Sequence, residues 1–213
     1  MEQPPPTQSV RPRRIRRSCV AGLRFLVAGW ILAACHLSEW LRGGVLELDG
    51  HGSYVELPER LGEDLQEFTI ELRVRWDHLG YYDSPLHFGD KSHAIAFNHQ
   101  SLGFQTPVAF VQPGSLAPVK ATGSGLLTPG RWAHLAATVT PRGIRLYFNG
   151  VCVATNNTPI PPGVLGAAPF RWLGRSPWED NGYFRGGLDD VCLWGRVLTD
   201  EELRRRPHTS LTG

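Results

Sequence analysis

Methionine and cysteine are scarce in this sequence of 213 residues, and each scarcity narrows the kinds of site it can hold. The single methionine is the first residue, so the hydrophobic core is not rich in methionine. The four cysteines include no Cys-x-x-Cys pair, which argues against a cysteine-based zinc site. Cys152 and Cys192 lie in predicted strands. They are either two buried thiols, as free cysteines usually are, or one disulfide if the chain is exported.

Catalytic motifs are also missing. The sequence has no Gly-x-Ser-x-Gly, no His-Glu-x-x-His, no phosphate-binding loop and no Gly-x-Gly-x-x-Gly pattern. Glu67 and Glu71 share a strand face, but that face also carries Arg73 and Arg75, which is typical of a solvated surface with ion pairs. No two carboxylates are placed as a glycosidase requires. The sequence therefore predicts a domain without catalytic activity.

No uncharged run reaches the roughly 20 apolar residues that span a bilayer. Residues 1–42 contain a Pro-rich start and a basic cluster at 11–17. An apolar stretch follows, and its uncharged part, Phe25–Ser38, is 14 residues long. We expect residues 1–42 to be a disordered basic leader followed by an apolar leader helix. Three interpretations stay open: a secretory signal, a membrane anchor, or an apolar leader on a soluble protein.

The end of this apolar stretch, Leu32–Cys35, resembles the lipobox of bacterial lipoproteins, in which the cysteine is lipidated. That pattern requires small residues before the cysteine, and Ala33 and Ala34 meet the requirement. The resemblance predicts lipidation at Cys35.

Charge divides the chain unevenly. Residues 1–42 hold seven arginines and two glutamates, a net charge of +5, and the whole chain has +2, so the remainder carries −3. A nucleic-acid-binding domain needs a basic face, and this mildly acidic remainder opposes one.

Strand patterns fill the rest of the sequence. Its 24 glycines and 17 prolines favour many turns and short strands. Every second residue of Phe68–Trp76 is apolar, which predicts an antiparallel strand with one buried face and one solvated face. Asn149-Gly150 between two apolar runs predicts a hairpin with a type I′ turn.

A capping box formed by Thr199 and Glu202 predicts a short helix that ends near Arg206, before Pro207. Many short strands, one helical turn and no alternation of strands with helices predict an all-β sandwich over residues 43–206. Residues 207–213 are then a tail.

Several stretches, in this order, resemble the laminin G-like, concanavalin A-like jelly-roll family: Leu46–Pro58, Phe68–Trp76, Trp132–Val139, Leu146–Gly150, Leu173–Ser176, Gly187–Trp194 and Leu198–Leu203. The resemblance covers residues 44–206. It implies two antiparallel sheets packed as a jelly-roll sandwich, with the first and last strands close together. It does not fix a ligand, because one fold hosts many functions.

The resemblance also suggests a calcium site, because metals in related jelly rolls lie where the first and last strands meet. Asp49, Asp189 and Asp190 are at those strands. Calcium prefers carboxylate and carbonyl oxygens, so the three residues are candidate ligands. The alternative is that Asp49 is a turn residue and the other two carboxylates accept backbone hydrogen bonds.

Aromatic residues in two predicted loops are candidates for ligand binding. They are Trp178, Tyr183 and Phe184 in one loop and Tyr81 and Tyr82 in another. Such rings either stack on sugars or close the ends of the sandwich.

These observations predict an exported or membrane-tethered recognition module that binds carbohydrate or an extracellular protein, with calcium as a candidate cofactor. The alternatives are a structural or adhesion domain without a ligand pocket and, third, a degenerate glycoside hydrolase.

Overall fold

The computed structural model describes residues 45–99, 105–166 and 169–206. The predicted leader at 1–42, with the lipidation candidate Cys35, and the tail at 207–213 lie outside these residues. In the part of the chain that is described, no helix is long and apolar enough to cross a membrane.

The described residues form twelve strands and one short helix. The strands are β1 Leu46–Asp49, β2 Val55–Glu56, β3 Phe68–Trp76, β4 Leu86–Gly89, β5 His93–His99, β6 Pro107–Pro113, β7 Val119–Thr122, β8 Trp132–Thr140, β9 Gly143–Phe148, β10 Val151–Asn156, β11 Arg171–Leu173 and β12 Arg185–Trp194, and the helix is α1 Asp200–Arg204. The first sheet has the order β1-β12-β3-β8-β9-β10 and the second sheet β2-β11-β4-β5-β6-β7. All neighbouring strands in these two sheets are antiparallel. The predicted two-sheet all-β sandwich is confirmed.

The core lies between the sheets and follows the predicted alternation. Ile70, Leu72 and Val74 of β3 are fully buried, and they belong to one apolar cluster with Phe88 of β4 and Phe97 of β5. The inner faces of both sheets are therefore apolar along their length, as a sandwich requires.

The predicted hairpin turn is present between β9 and β10. Asn149 and Gly150 both have positive φ, at 49° and 78°, which a type I′ turn needs. A Cβ on Gly150 would lie 2.9 Å from the Cα of Arg204. Glycine is required at position 150 for two reasons: the turn needs a positive φ, and the helix α1 packs too closely to leave room for a Cβ.

The prediction that one face of β3 is exposed to solvent is wrong. Thr69, Glu71 and Arg73 are all buried, because the chain after β12 folds back over this outer face of the first sheet. The Trp194 indole donates to Glu71 at 2.8 Å, and the Leu198 N–H donates to Thr69 Oγ1 at 2.9 Å.

The predicted capping box is confirmed, since Thr199 accepts from the Glu202 N–H and Glu202 accepts from the Thr199 N–H. Of the two interpretations of Cys152 and Cys192, a disulfide between them is wrong, because Cys152 is a free thiol. The two lie on β10 and β12, which three strands separate in the first sheet. That spacing is roughly 19 Å, far beyond the reach of a disulfide.

Candidate functional site

The three predicted calcium ligands do not meet. Asp49 pairs with Arg185 of β12, whereas Asp189 pairs with Arg73 of β3. Arg185 and Asp189 are four positions apart on β12, which corresponds to roughly 13 Å along the strand. The described residues contain no group of three His, Cys, Asp or Glu side chains that could hold a metal ion. The prediction of a shared three-carboxylate site is wrong, because the strand register sets its members apart.

Each of these carboxylates has a local role. Asp49 Oδ1 accepts from Ser53 Oγ at 2.6 Å and from the His51 N–H at 2.8 Å, and the Ser53 hydrogen bond lowers the Asp49 pKa most. Asp190 has φ 47° at the irregularity of β12, and its N–H donates to Asp189 Oδ1 at 2.9 Å. Burial raises the pKa of Asp189, and the Asp190 charge adds to the rise.

The five predicted ligand-binding aromatics separate into different environments. Phe184 is fully buried and packs edge-on against Trp76 at 5.7 Å, so it closes the core and its predicted binding role is wrong. Trp178 and Tyr82 line a pocket of about 300 Å³, which Tyr183 does not line. Tyr81 is 46% exposed and lies 4.9 Å from Tyr82, beside the pocket.

This pocket lies on the outer face of the second sheet. Strands β5, β6 and β7 supply most of its lining through alternate residues, which are Asn98, Val108, Phe110, Gln112, Lys120 and Thr122. The strand register makes two cross-strand rows, Asn98–Val108–Thr122 and Ala96–Phe110–Lys120. The outer face thus presents apolar, amide, hydroxyl and ammonium groups side by side.

A loop after β11 places Trp178 above this face. Ser176 Oγ accepts from the Trp178 N–H at 3.3 Å and from Asn181 Nδ2 at 2.9 Å. The Asn181 N–H donates to the Trp178 carbonyl at 3.2 Å. Trp178 lies 6.2 Å from Phe110, centroid to centroid, at 62°. These hydrogen bonds fold the loop back on itself and fix one aromatic wall of the pocket.

Tyr82 forms another wall in an unusual backbone conformation. Its φ is 46°, a region that non-glycine residues seldom adopt and that concentrates at functional sites. The next residue, Asp83, is buried in an ion pair with His99 at the end of β5. The Gly182 N–H donates to the Tyr81 carbonyl at 2.8 Å and joins the two aromatic loops.

His87 lies beneath Trp178. It is fully buried, and neither ring nitrogen has a hydrogen-bond partner among the residues that the structure describes. Its ring is 5.4 Å from Trp178 and 5.9 Å from Phe110, since only the small side chain of Ala96 separates β4 from β6 in this row. Burial lowers the pKa of His87 to about 3, against a weaker opposing effect of Asp90. The imidazole is therefore neutral at physiological pH.

The side-chain amides of Gln112 and Asn181 already make some hydrogen bonds within the protein. Gln112 Nε2 donates to the carbonyls of Gly114 and Leu116, both at 2.8 Å. The Gln112 carbonyl oxygen stays available as an acceptor. The Asn181 amide nitrogen is likewise used by Ser176, whereas Lys120 and Thr122 supply donors. A ligand rich in hydroxyl groups, which both donate and accept, matches such a mixture.

The strand part of the site is not among the candidates named from the sequence. Those candidates are loop aromatics, and Asn98, Phe110 and Gln112 are not among them. The signal that could have found them is period two on β6 and β7, where Val108, Phe110 and Gln112 alternate with buried core residues and Lys120 alternates with Val119 and Ala121.

Comparisons with known proteins agree with this architecture. A family model described as the concanavalin A-like lectin/glucanases superfamily, of the laminin G type, matches residues 49–204. The chain is 35% identical over 79 residues to pappalysin-1 from Mus musculus. That match covers 35% of this chain and spans only 5% of the relative's length.

Two solved structures share the fold. Domain 4 of an extracellular arabinanase from Geobacillus stearothermophilus, in complex with arabinotriose, superposes with a TM-score of 0.62 at 23% identity, over 75% of this chain and 74% of that one. The CBM40 module of a Ruminococcus gnavus sialidase, bound to α2,3-sialyllactose, superposes with a TM-score of 0.64 at 14% identity, over 75% and 94%. At these identities the likeness concerns the fold. From the family match over most of its length, the chain belongs to the laminin G-type concanavalin A-like lectin/glucanases superfamily.

Proposed function

We propose that this domain is a non-catalytic carbohydrate-binding module and that its ligand occupies the pocket on the outer face of the second sheet. The observation that carries the proposal is the pocket itself. Rings of Trp178, Phe110 and Tyr82 stand beside the amides of Asn98 and Gln112. Aromatic faces pack on the C–H groups of a sugar, and a few placed polar groups orient its hydroxyls. A volume of about 300 Å³ is at the lower end for ligand pockets and suits one or two sugar units.

The solved structures of similar fold add support, because the arabinanase domain holds arabinotriose and the sialidase module holds sialyllactose. A binding role without catalysis is favoured by the lining, which contains no aspartate or glutamate. Glycoside hydrolysis commonly needs two carboxylates across the scissile bond.

We further propose that the module acts outside the cytoplasm. The basic cluster at 11–17 followed by an apolar segment supports this, since a secretory signal has a basic region before an apolar one. The apolar segment at 19–37 would then direct export, either as a cleaved or lipidated signal or as an anchor. Mass spectrometry of the mature N-terminus separates these outcomes, and a chain that keeps its whole leader in the cytoplasm contradicts export.

A glycan array followed by calorimetry tests the binding proposal. Trp178→Ala should weaken binding at least about tenfold, because burial of such a ring contributes about 1.5–3 kcal/mol. Phe170→Ala is the matched control. Phe170 is an aromatic residue, 37% exposed, that does not line the pocket. The proposal fails if no glycan binds, or if both variants bind as the wild type does.

A further inference from the structure

We propose that the saccharide recognised by this pocket carries an anionic group, a carboxylate or a sulfate, which pairs with Lys120. The inference rests on the proposed binding function and adds the chemical class of the ligand. It comes from the charges on and around the pocket.

Lys120 is the only charged side chain among the ten lining residues. The ion pairs of the described residues are made by arginines and histidines, and Lys120 takes part in none of them. The two acidic residues nearest in sequence to Trp178, Glu179 and Asp180, are exposed on the loop and do not line the pocket. The ammonium group is thus available to a ligand.

Other cations of the domain are paired within the protein or lie away from this pocket. Arg75 pairs with Glu47 and Asp77, and Arg196 pairs with Glu202. The chain beyond residue 42 has a net charge of −3, and the whole sequence has only two lysines, Lys91 and Lys120. Lys120 is exposed and lines the pocket with no acidic residue among the other nine lining residues, so its charge attracts an anionic group to this place.

The position of Lys120 suits a ligand that touches the rings at the same time. Lys120 is the direct cross-strand neighbour of Phe110, and paired strands lie roughly 4.8 Å apart. Asn156 Nδ2 donates to the Lys120 carbonyl at 2.9 Å and holds β7 in place. Trp178 packs against Phe110, so a sugar ring that stacks on Trp178 brings a carboxylate or sulfate substituent within reach of the ammonium group.

The test uses matched pairs of saccharides that differ in one anionic group: methyl galactoside against methyl galacturonide, N-acetylglucosamine against its 6-sulfate, and the methyl ester of sialyllactose against sialyllactose. We expect the acidic member of at least one pair to bind about five- to tenfold more tightly at low salt, as for a charge-assisted hydrogen bond. The difference should shrink as ionic strength rises, because salt screens exposed charges.

The two lysines provide the readout. Reductive ¹³C-dimethylation keeps their charge and labels both side chains of the full chain, and the variants Lys91→Gln and Lys120→Gln assign their signals. We expect the acidic saccharide to shift the Lys120 signal and leave the Lys91 signal in place. Lys120→Gln should abolish the preference for the acidic member and keep weak binding of the neutral one, whereas Lys91→Gln should bind as the wild type does.

The possible failures are distinguishable. If acidic and neutral members bind equally and both shift the indole NMR signal of Trp178, the anionic class is wrong and the binding function stands. A preference for acidic saccharides that survives in Lys120→Gln also overturns the inference. If no saccharide binds, both proposals fail together.

Discussion

The outer faces of the two sheets both come from strands in which polar residues alternate with buried apolar ones. The outer face of the first sheet is covered by other parts of the chain, whereas that of the second sheet forms an open pocket. On the first sheet, Glu71 is 3% exposed and is contacted by Trp194, His134 and Arg206. On the second sheet, Lys120 is exposed, lines the pocket and takes part in no ion pair among the described residues. Polar groups that bond to other groups of the protein stabilise the fold. Polar groups that line a pocket without such partners can bind a ligand.

The largest expected effect is on the first sheet. Glu71→Ala removes the acceptor of the half-buried Trp194 indole and the buried His134 imidazole, and we expect a loss of about 3 kcal/mol in the free energy of unfolding. Glu71→Gln keeps one carbonyl acceptor and should lose about half as much. Urea denaturation measures both. A loss below about 1 kcal/mol for the alanine variant would show that this covered face contributes little to the scaffold.

The second prediction concerns pH and His87. Its pKa is about 3 when folded and about 6.5 in an unfolded chain. Below pH 6.5 the unfolded state binds a proton that the folded state does not, so this histidine makes the protein less stable as pH falls. The loss reaches about 2 kcal/mol at pH 5.

Unfolding in urea at pH 7.5 and pH 5 tests this prediction, with His87→Leu as the control. The leucine variant keeps an apolar group under Trp178 and shares every other titrating residue with the wild type. Its stability should therefore change less between the two pH values. Identical pH dependence in both proteins would mean that His87 is accessible to protons in the folded state.

The third prediction compares two glycines with positive φ. Gly150→Ala should cost about 2 kcal/mol, because φ is 78° and a Cβ would lie 2.9 Å from the backbone of α1. Gly125→Ala, with φ 63° and nothing within 4 Å of a Cβ, should cost about 1 kcal/mol from strain alone. Thermal unfolding gives the two values. Equal costs would indicate that α1 moves aside without penalty.

The smallest expected effect is that of calcium. Asp49 lies roughly 13 Å along the strand from Asp189 and already accepts hydrogen bonds from Ser53 and His51. We expect addition of calcium or EDTA to leave both the melting temperature and saccharide binding unchanged. A rise in melting temperature with calcium that disappears in Asp189→Asn would restore a metal site at β12.

Local patterns predicted local structure well. Alternation in Phe68–Trp76, the Asn149-Gly150 turn and the capping box at Thr199 each depend on neighbours in sequence, and each is confirmed. The solvated face of β3 was predicted wrongly because its cover, the segment around Trp194 and Leu198, comes more than 120 residues later. When a segment distant in sequence covers one face of a strand, the residues of the strand itself do not indicate it.

The candidate site was only half predictable for the same reason. Trp178 and Tyr82 could be found because loop aromatics are conspicuous in a sequence. Phe110 and Lys120 become neighbours only through the pairing of β6 with β7, and the separation of Asp49 from Asp189 follows from the register of β12. Register between strands distant in sequence depends on the whole fold, and no short motif encodes it.

The contrast between the two outer faces is tested most directly by NMR of the tryptophan indoles during titration with a saccharide selected on the array. Our account predicts that the Trp178 indole signal shifts progressively, while those of Trp194 and Trp132 on the first sheet stay in place. Shifts at Trp194 or Trp132 with an unchanged Trp178 signal would contradict it and place the binding face on the first sheet.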